Sequence, residues 1–195
     1  MSMLKDGSRA GERRFAPTTY KSLLTSHIGV SVAWLGVALS KFVLALVALT
    51  TTSGPDYARA VYTAMEVLNV VFPPLVIATL ISGVVLTLGT RWALLDYYWV
   101  ITKLALSVAV FTSGAEFSTR LAQQSIAALA GAPPAPDGLL AMISAPGGLL
   151  LALFAAHTLM LGAATVVSVF KPWGLTWFGR RKALRRRQTT LAAVA

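Results

Sequence analysis

Four long apolar runs dominate the chain, over roughly residues 22–50, 61–90, 97–115 and 138–170, each broken by at most one charged side chain. A soluble helix alternates an apolar with a polar face, but these runs are apolar almost all round. About 20 apolar residues cross the hydrocarbon core of a bilayer, so each run is long enough to span it. The pattern predicts an all-α protein: an antiparallel four-helix transmembrane bundle with both termini cytoplasmic. The spans are placed at about 22–50, 58–89, 92–115 and 138–171, with an outer loop at 116–137. Basic tails at 1–21 and 172–195 flank the transmembrane domain 22–171.

Charge supports that orientation. Of 17 Lys and Arg residues, the N-terminal tail holds Lys5, Arg9, Arg13, Arg14 and Lys21. The C-terminal tail holds Lys171, Arg180, Arg181, Lys182, Arg185, Arg186 and Arg187. Arg91 marks the short middle turn, whereas the other two loops carry only Arg59 and Arg120. Cytoplasmic flanks retain Lys and Arg, which places both tails and the middle turn inside the cell, in the plasma membrane. Basic tails next to apolar spans point to anionic lipid headgroups rather than nucleic acid. The chain has no cysteine, which excludes disulfides, iron–sulfur clusters and thiolate metal sites. The first run is too long, and starts too late, for a cleaved signal peptide.

Turn chemistry divides the spans. Thr51-Thr52-Ser53-Gly54-Pro55-Asp56 forms one connection and Gly89-Thr90-Arg91 another. Pro73-Pro74 removes two backbone donors inside the second helix and predicts a kink there. Tyr97, Tyr98 and Trp99 suit an interfacial aromatic anchor. Phe117–Ala130 carries a weak helical pattern, suited to a segment lying on the membrane surface.

The ionisable residues inside the spans carry what functional information there is. His27, Trp34 and Lys41 recur every seven residues and share one helix face, which is expected to point into the bundle. Counting depth from the first turn sets Lys41 opposite Glu66. A charge in hydrocarbon is costly unless paired or hydrated, so these two are read as an intramembrane ion pair, either a structural staple or a proton- or ligand-handling site. The same counting brings Lys103 within about a turn of His27 and gives it no carboxylate at its own level. Lys103 then reaches down towards Asp96, meets an anionic ligand or snorkels to the interface. His157 is the second of two histidines, with Met160 one turn later. Two histidines, or a His and a Met, on facing helices can hold a haem iron, which makes His27, His157 and Met160 candidate ligands. A buried histidine tying helices together is the structural alternative. No Rossmann glycine fingerprint, P-loop or HExxH motif is present.

Ser26-His27-Ile28 through Ala33-Trp34-Leu35-Gly36, and Tyr98-Trp99-Val100-Ile101-Thr102-Lys103-Leu104, together resemble small four-span proteins of actinobacterial type with no assigned activity. Leu88-Gly89-Thr90-Arg91-Trp92 and the Ser168–Thr176 exit fit the same pattern. More distantly the chain is similar to CopD-like and HemJ-like membrane proteins. HemJ-like proteins bind haem b and oxidise protoporphyrinogen. That resemblance implies His27 as a haem ligand and Lys103 as the partner of a propionate or substrate carboxylate. The chain departs from the HemJ-like pattern at two places. Only Lys41 stands near the arginine expected after Trp-x-Gly, and Ser113-Gly114-Ala115-Glu116 replaces a late third-helix histidine. The functional expectation is an integral membrane protein with haem b as its candidate cofactor. Its alternatives are an accessory or scaffold subunit of a larger membrane complex, or a small transporter or proton-pathway protein using Lys41, Glu66 and Asp96. A membrane protein partner or a homo-oligomer is compatible with each.

Overall fold

The computed structural model describes residues 15–89, 94–131 and 139–192. Its helices are α1 (Pro17–Thr50), α2 (Pro55–Leu88), α3 (Tyr98–Ala130), α4 (Leu139–Ser144), α5 (Pro146–Phe170) and α6 (Trp177–Ala192). There is no strand among the described residues, only an isolated antiparallel bridge between Tyr97 and Leu175. Four helices, α1, α2, α3 and α5, are long and apolar enough to cross a membrane. The expected all-helical architecture with four apolar spans is therefore present.

Proline sets several of the boundaries. Pro17, Pro55 and Pro146 stand in the first turns of α1, α2 and α5. There the missing N–H is no loss, because the first helical amides have no intrahelical acceptor. Gly54, at φ 96°, supplies the turn before Pro55. Pro73 and Pro74 lie inside α2, yet the helix runs on through both. Lys171 closes α5 in the left-handed region at φ 47°, with its N–H on the Val167 carbonyl at 3.0 Å.

Several boundaries differ from expectation: α1 begins at Pro17 instead of about 22, and α3 at Tyr98 instead of about 92. The third helix does not end near 115: α3 continues through Phe117–Ala130, which the sequence places in an outer surface segment. Gly114 and the polar residues after it mark the end of the apolar stretch, not of the helix. Beyond it Ser118, Ala122 and Ser125 recur at helical spacing and are buried, so the extension packs instead of lying apart. The fourth span is preceded by the separate helix α4. Ala145 before Pro146 is extended (ψ 153°), as the clash of the proline ring with its predecessor demands. The Ala132–Asp137 part of the connector and the Thr90–Trp92 turn lie outside the described residues.

α1 packs on α2 and α5, and α3 packs on the same two helices. Among the described residues, α1 and α3 thus face each other across a diagonal. Two apolar clusters fill the interior. One joins Ala45, Ala48, Tyr62, Met65, Ala122, Leu150 and Phe154; the other joins Trp34, Ala38, Phe72, Val76, Val110 and Leu161. Lipid tails are as apolar as leucine, so cohesion comes from close packing, which small residues permit. Ala45 is fully enclosed. Ala45→Leu is expected to cost about 1–3 kcal/mol by overpacking, read as easier unfolding in mixed micelles.

The C-terminal segment is not a plain tail. The chain folds back after α5 and pairs with the start of α3. Tyr98 N–H meets the Gly174 carbonyl at 3.4 Å, and Thr176 N–H the Asp96 carbonyl at 2.9 Å. Thr176 is buried and caps α6: its Oγ accepts from Gly179 N–H at 3.2 Å and donates to the Leu95 carbonyl at 2.7 Å. Lys182 then pairs with Asp96 at 3.0 Å. Loss of an N-cap costs about 0.5–2 kcal/mol, so Thr176→Ala should release the first turn of α6, seen as faster amide exchange at residues 177–180. Asp96→Asn should do less, because a partly exposed ion pair contributes about 0–1 kcal/mol.

Candidate functional site

His27, Trp34 and Lys41 all lie on the buried face of α1, as their seven-residue spacing requires. They serve two different polar centres. The first surrounds His27. Gly83 on α2 lets the imidazole lie against that helix: a Cβ there would stand 3.2 Å from His27 Cε1. The imidazole Nδ1 is 2.8 Å from Ser82 Oγ. The Ser82 hydroxyl hydrogen is directed to the Ala78 carbonyl, 2.7 Å away. Oγ must then accept, so His27 donates from Nδ1–H and keeps its lone pair on Nε2. That lone pair faces Lys103 Nζ at 3.3 Å. The contact spans the α1–α3 diagonal and therefore lies near the bundle axis.

A half-open cleft of about 290 Å³ surrounds this pair, at the small end of ligand-binding cavities. Leu24, Leu80, Val84, Val100 and Leu104 provide its apolar walls, and Thr79, Ser107, Lys103 and Lys171 its polar groups. Thr79 Oγ1 is buried without a hydrogen-bond partner. Tyr20 and Lys171 lie at the start of α1 and the end of α5, while Thr87 and Trp99 lie at the end of α2 and the start of α3. Trp99 is buried here, whereas Tyr98 beside it is exposed. Lys171 Nζ lies 5.7 Å from the centre of the Trp99 ring.

The second centre surrounds Lys41, which is only 2 % exposed. The expected ion pair with Glu66 does not form. Lys41 Nζ donates instead to Asn69 Oδ1, one turn along α2. Asn69 Oδ1 also accepts from Ser118 Oγ at 3.2 Å, and its Nδ2 donates to Thr119 at 3.3 Å. The ammonium faces the rings of Phe72 and Phe154 at 4.8 and 5.4 Å. A neutral amide and two aromatic faces satisfy the cation. Glu66 Oε1 is buried without a hydrogen-bond partner.

His157 belongs with this second centre. It lies 2.9 Å from Ser113 Oγ, which gives its own hydrogen to the Ala109 carbonyl at 2.6 Å. His157 therefore donates from Nε2–H, the opposite tautomer to His27. Gly114 and the edge of Phe154 flank its ring. Met160 packs against the Trp34–Phe72 cluster. Neither His157 nor Met160 lines the cleft that His27 lines. Asp96 is held by Lys182 and does not meet Lys103.

The structure thus brings together His27 and Lys103, keeps His157 and Met160 elsewhere, and separates Lys41 from Glu66. Ser82, Asn69, Ser113 and Ser118 complete the two centres; the sequence gives no role to Ser82, Asn69 or Ser118 and notes Ser113 only where a histidine is missing. Ser82 and Asn69 are single small polar side chains inside an apolar run, whereas Ser113 stands beside Thr112 and Ser118 beside Thr119, past the end of one. No group of three or more His, Asp or Glu side chains able to hold a metal ion occurs among the described residues. No family model matches this sequence, and no curated protein or solved structure matches it.

Proposed function

We propose that this chain is a multi-pass protein of the plasma membrane that binds b-type haem in the cleft around His27. The helices are taken as an antiparallel bundle with both termini cytoplasmic. The basic tails support this, because the start of α1, the end of α5 and the latched C-terminal helix all belong to the end that holds the cleft.

One observation carries the haem reading. His27 has its Nδ1–H fixed by Ser82 and its Nε2 lone pair turned into an amphipathic cleft. Metal-binding histidines are oriented in this way, with the second ring nitrogen donating to a fixed acceptor. The remaining residues fit the group. Gly83 leaves room beside the ring, apolar walls suit a macrocycle, and Lys103 and Lys171 suit two carboxylates. His27 would hold the haem iron through its Nε2. Lys103 would turn from Nε2 to a propionate, with Lys171 facing the same end. Bound haem would supply one-electron redox chemistry; the chain's part is to ligate, orient and shield it.

Titration of the detergent-purified chain with haemin tests the assignment. One equivalent per chain should produce a saturable Soret band, and His157→Ala should leave it in place. A band lost in His157→Ala would sink the assignment to this cleft.

A second reading, as an accessory subunit or homo-oligomer, has one observation in its favour. Gly29, Ala33, Gly36 and Ser40 lie on the exposed side of α1, opposite His27. A Cβ at Gly29 or Gly36 would meet nothing within 4 Å. Such small residues let another helix approach closely. Gly36→Leu is expected to dissociate such an assembly on size-exclusion chromatography, and an unchanged elution position would remove this reading. The pairing of Lys41 with Asn69 and of Asp96 with Lys182 supports a proton-pathway reading less.

A further inference from the structure

We infer that α6 is an interfacial helix that docks on an anionic bilayer surface through its Trp177–Leu184–Leu191 face. The helix follows the last membrane-spanning helix after only residues 171–176, which places it within reach of the headgroups. It is also held there. Thr176 ties its first turn to the Leu95 and Asp96 backbone, Gly179 lies close against the Asp96 carbonyl, and Lys182 pairs with Asp96. This latch fixes which side of the helix faces away.

Helical geometry places Gly179 and Lys182 on the bundle side. Trp177, Leu184 and Leu191 recur every seven residues on the opposite side and are 52, 60 and 72 % exposed. Arg180, Arg181 and Arg187 border that apolar stripe, and Arg181 stacks on Trp177 at 3.6 Å. No Asp or Glu occurs in the sequence after Glu116 except Asp137, so nothing acidic on α6 offsets its cations. A second copy of the same helix would bring like charges together. An apolar stripe with a tryptophan at one end and arginines along both edges matches the boundary between acyl chains and anionic headgroups. The latch sets the azimuth, the stripe supplies depth, and the arginines supply selectivity for negative lipid.

The absence of native cysteine allows a direct test on the full chain. Leu184→Cys, Leu191→Cys and Thr189→Cys would each carry one environment-sensitive fluorophore. The labelled proteins would be placed in nanodiscs of phosphatidylcholine alone or mixed with phosphatidylglycerol. At positions 184 and 191 the emission is expected to rise and shift to the blue in anionic discs, far less in neutral ones, and to change little at Thr189, which lies nearer the latched side. The contrast should shrink at about 1 M salt, where exposed charges are screened within a few ångströms, and in a combined Arg180→Gln, Arg181→Gln, Arg187→Gln variant. Equal emission in both bilayers, or a label shielded only on adding RNA, would overturn the inference. Neither readout involves haem, so the inference stands or falls apart from the function proposed above.

Discussion

Replacing His27 with alanine is expected to abolish haem binding, whereas Ser82→Ala should weaken it without removing it. The two residues do different things to the same nitrogen. His27 offers Nε2 to the cleft; Ser82 holds the ring and its tautomer by accepting the Nδ1 hydrogen at 2.8 Å. Loss of such an orienting partner typically lowers metal affinity about 10–100-fold. A haemin titration should therefore show a right-shifted curve for Ser82→Ala and no saturable band for His27→Ala. Ser82→Thr keeps the hydroxyl and should restore most of the affinity. An unchanged curve for Ser82→Ala would mean that the ring is not held as described.

The largest effect on stability is expected at Asn69. Asn69→Leu would leave the Lys41 ammonium with two aromatic rings but no oxygen acceptor in the middle of the bundle. A hydrogen bond to a charged group contributes about 1.5–3 kcal/mol, and more is lost when the charge stays buried without it. Lys41→Met should be far milder, because Asn69 Oδ1 keeps its bond from Ser118. The double variant Lys41→Met/Asn69→Leu should then be more stable than Asn69→Leu alone. A double-mutant cycle of unfolding in mixed micelles measures that coupling. Additive effects would show that the two side chains do not depend on each other.

Some of this was legible before any coordinates. Hydropathy alone gives the four spans, since every lipid-exposed backbone group must be satisfied within its own helix. The seven-residue spacing of His27, Trp34 and Lys41 gives the buried face of α1. Depth counting brings Lys103 near His27, because the two residues stand at the same end of helices that share a bundle.

The failures have physical causes. Depth counting fixes a level to about one helical turn and says nothing of azimuth, so it selects Glu66 where Asn69, three residues on, is the partner. It also looks for opposite charge, whereas in hydrocarbon a neutral amide carries a smaller desolvation cost than a carboxylate. Asp96 illustrates another limit. Its partner Lys182 is more than 80 residues away in sequence, and only the reversal of the chain at Lys171–Thr176 brings them together. Phe117–Ala130 reads as weakly helical, but its continuity with α3 escapes notice because hydropathy reports where apolar character ends and a helix continues while its backbone bonds are made. α3 is about 50 Å long by helical rise, well beyond a hydrocarbon core of about 30 Å.

The most direct test of the haem assignment is the absorbance spectrum of the protein purified from membranes, oxidised and then reduced with dithionite. A Soret band with sharp bands on reduction is expected in the wild type and in His157→Ala, and is expected to be missing in His27→Ala. A spectrum showing only aromatic absorbance, unchanged when haemin is added, would contradict the assignment.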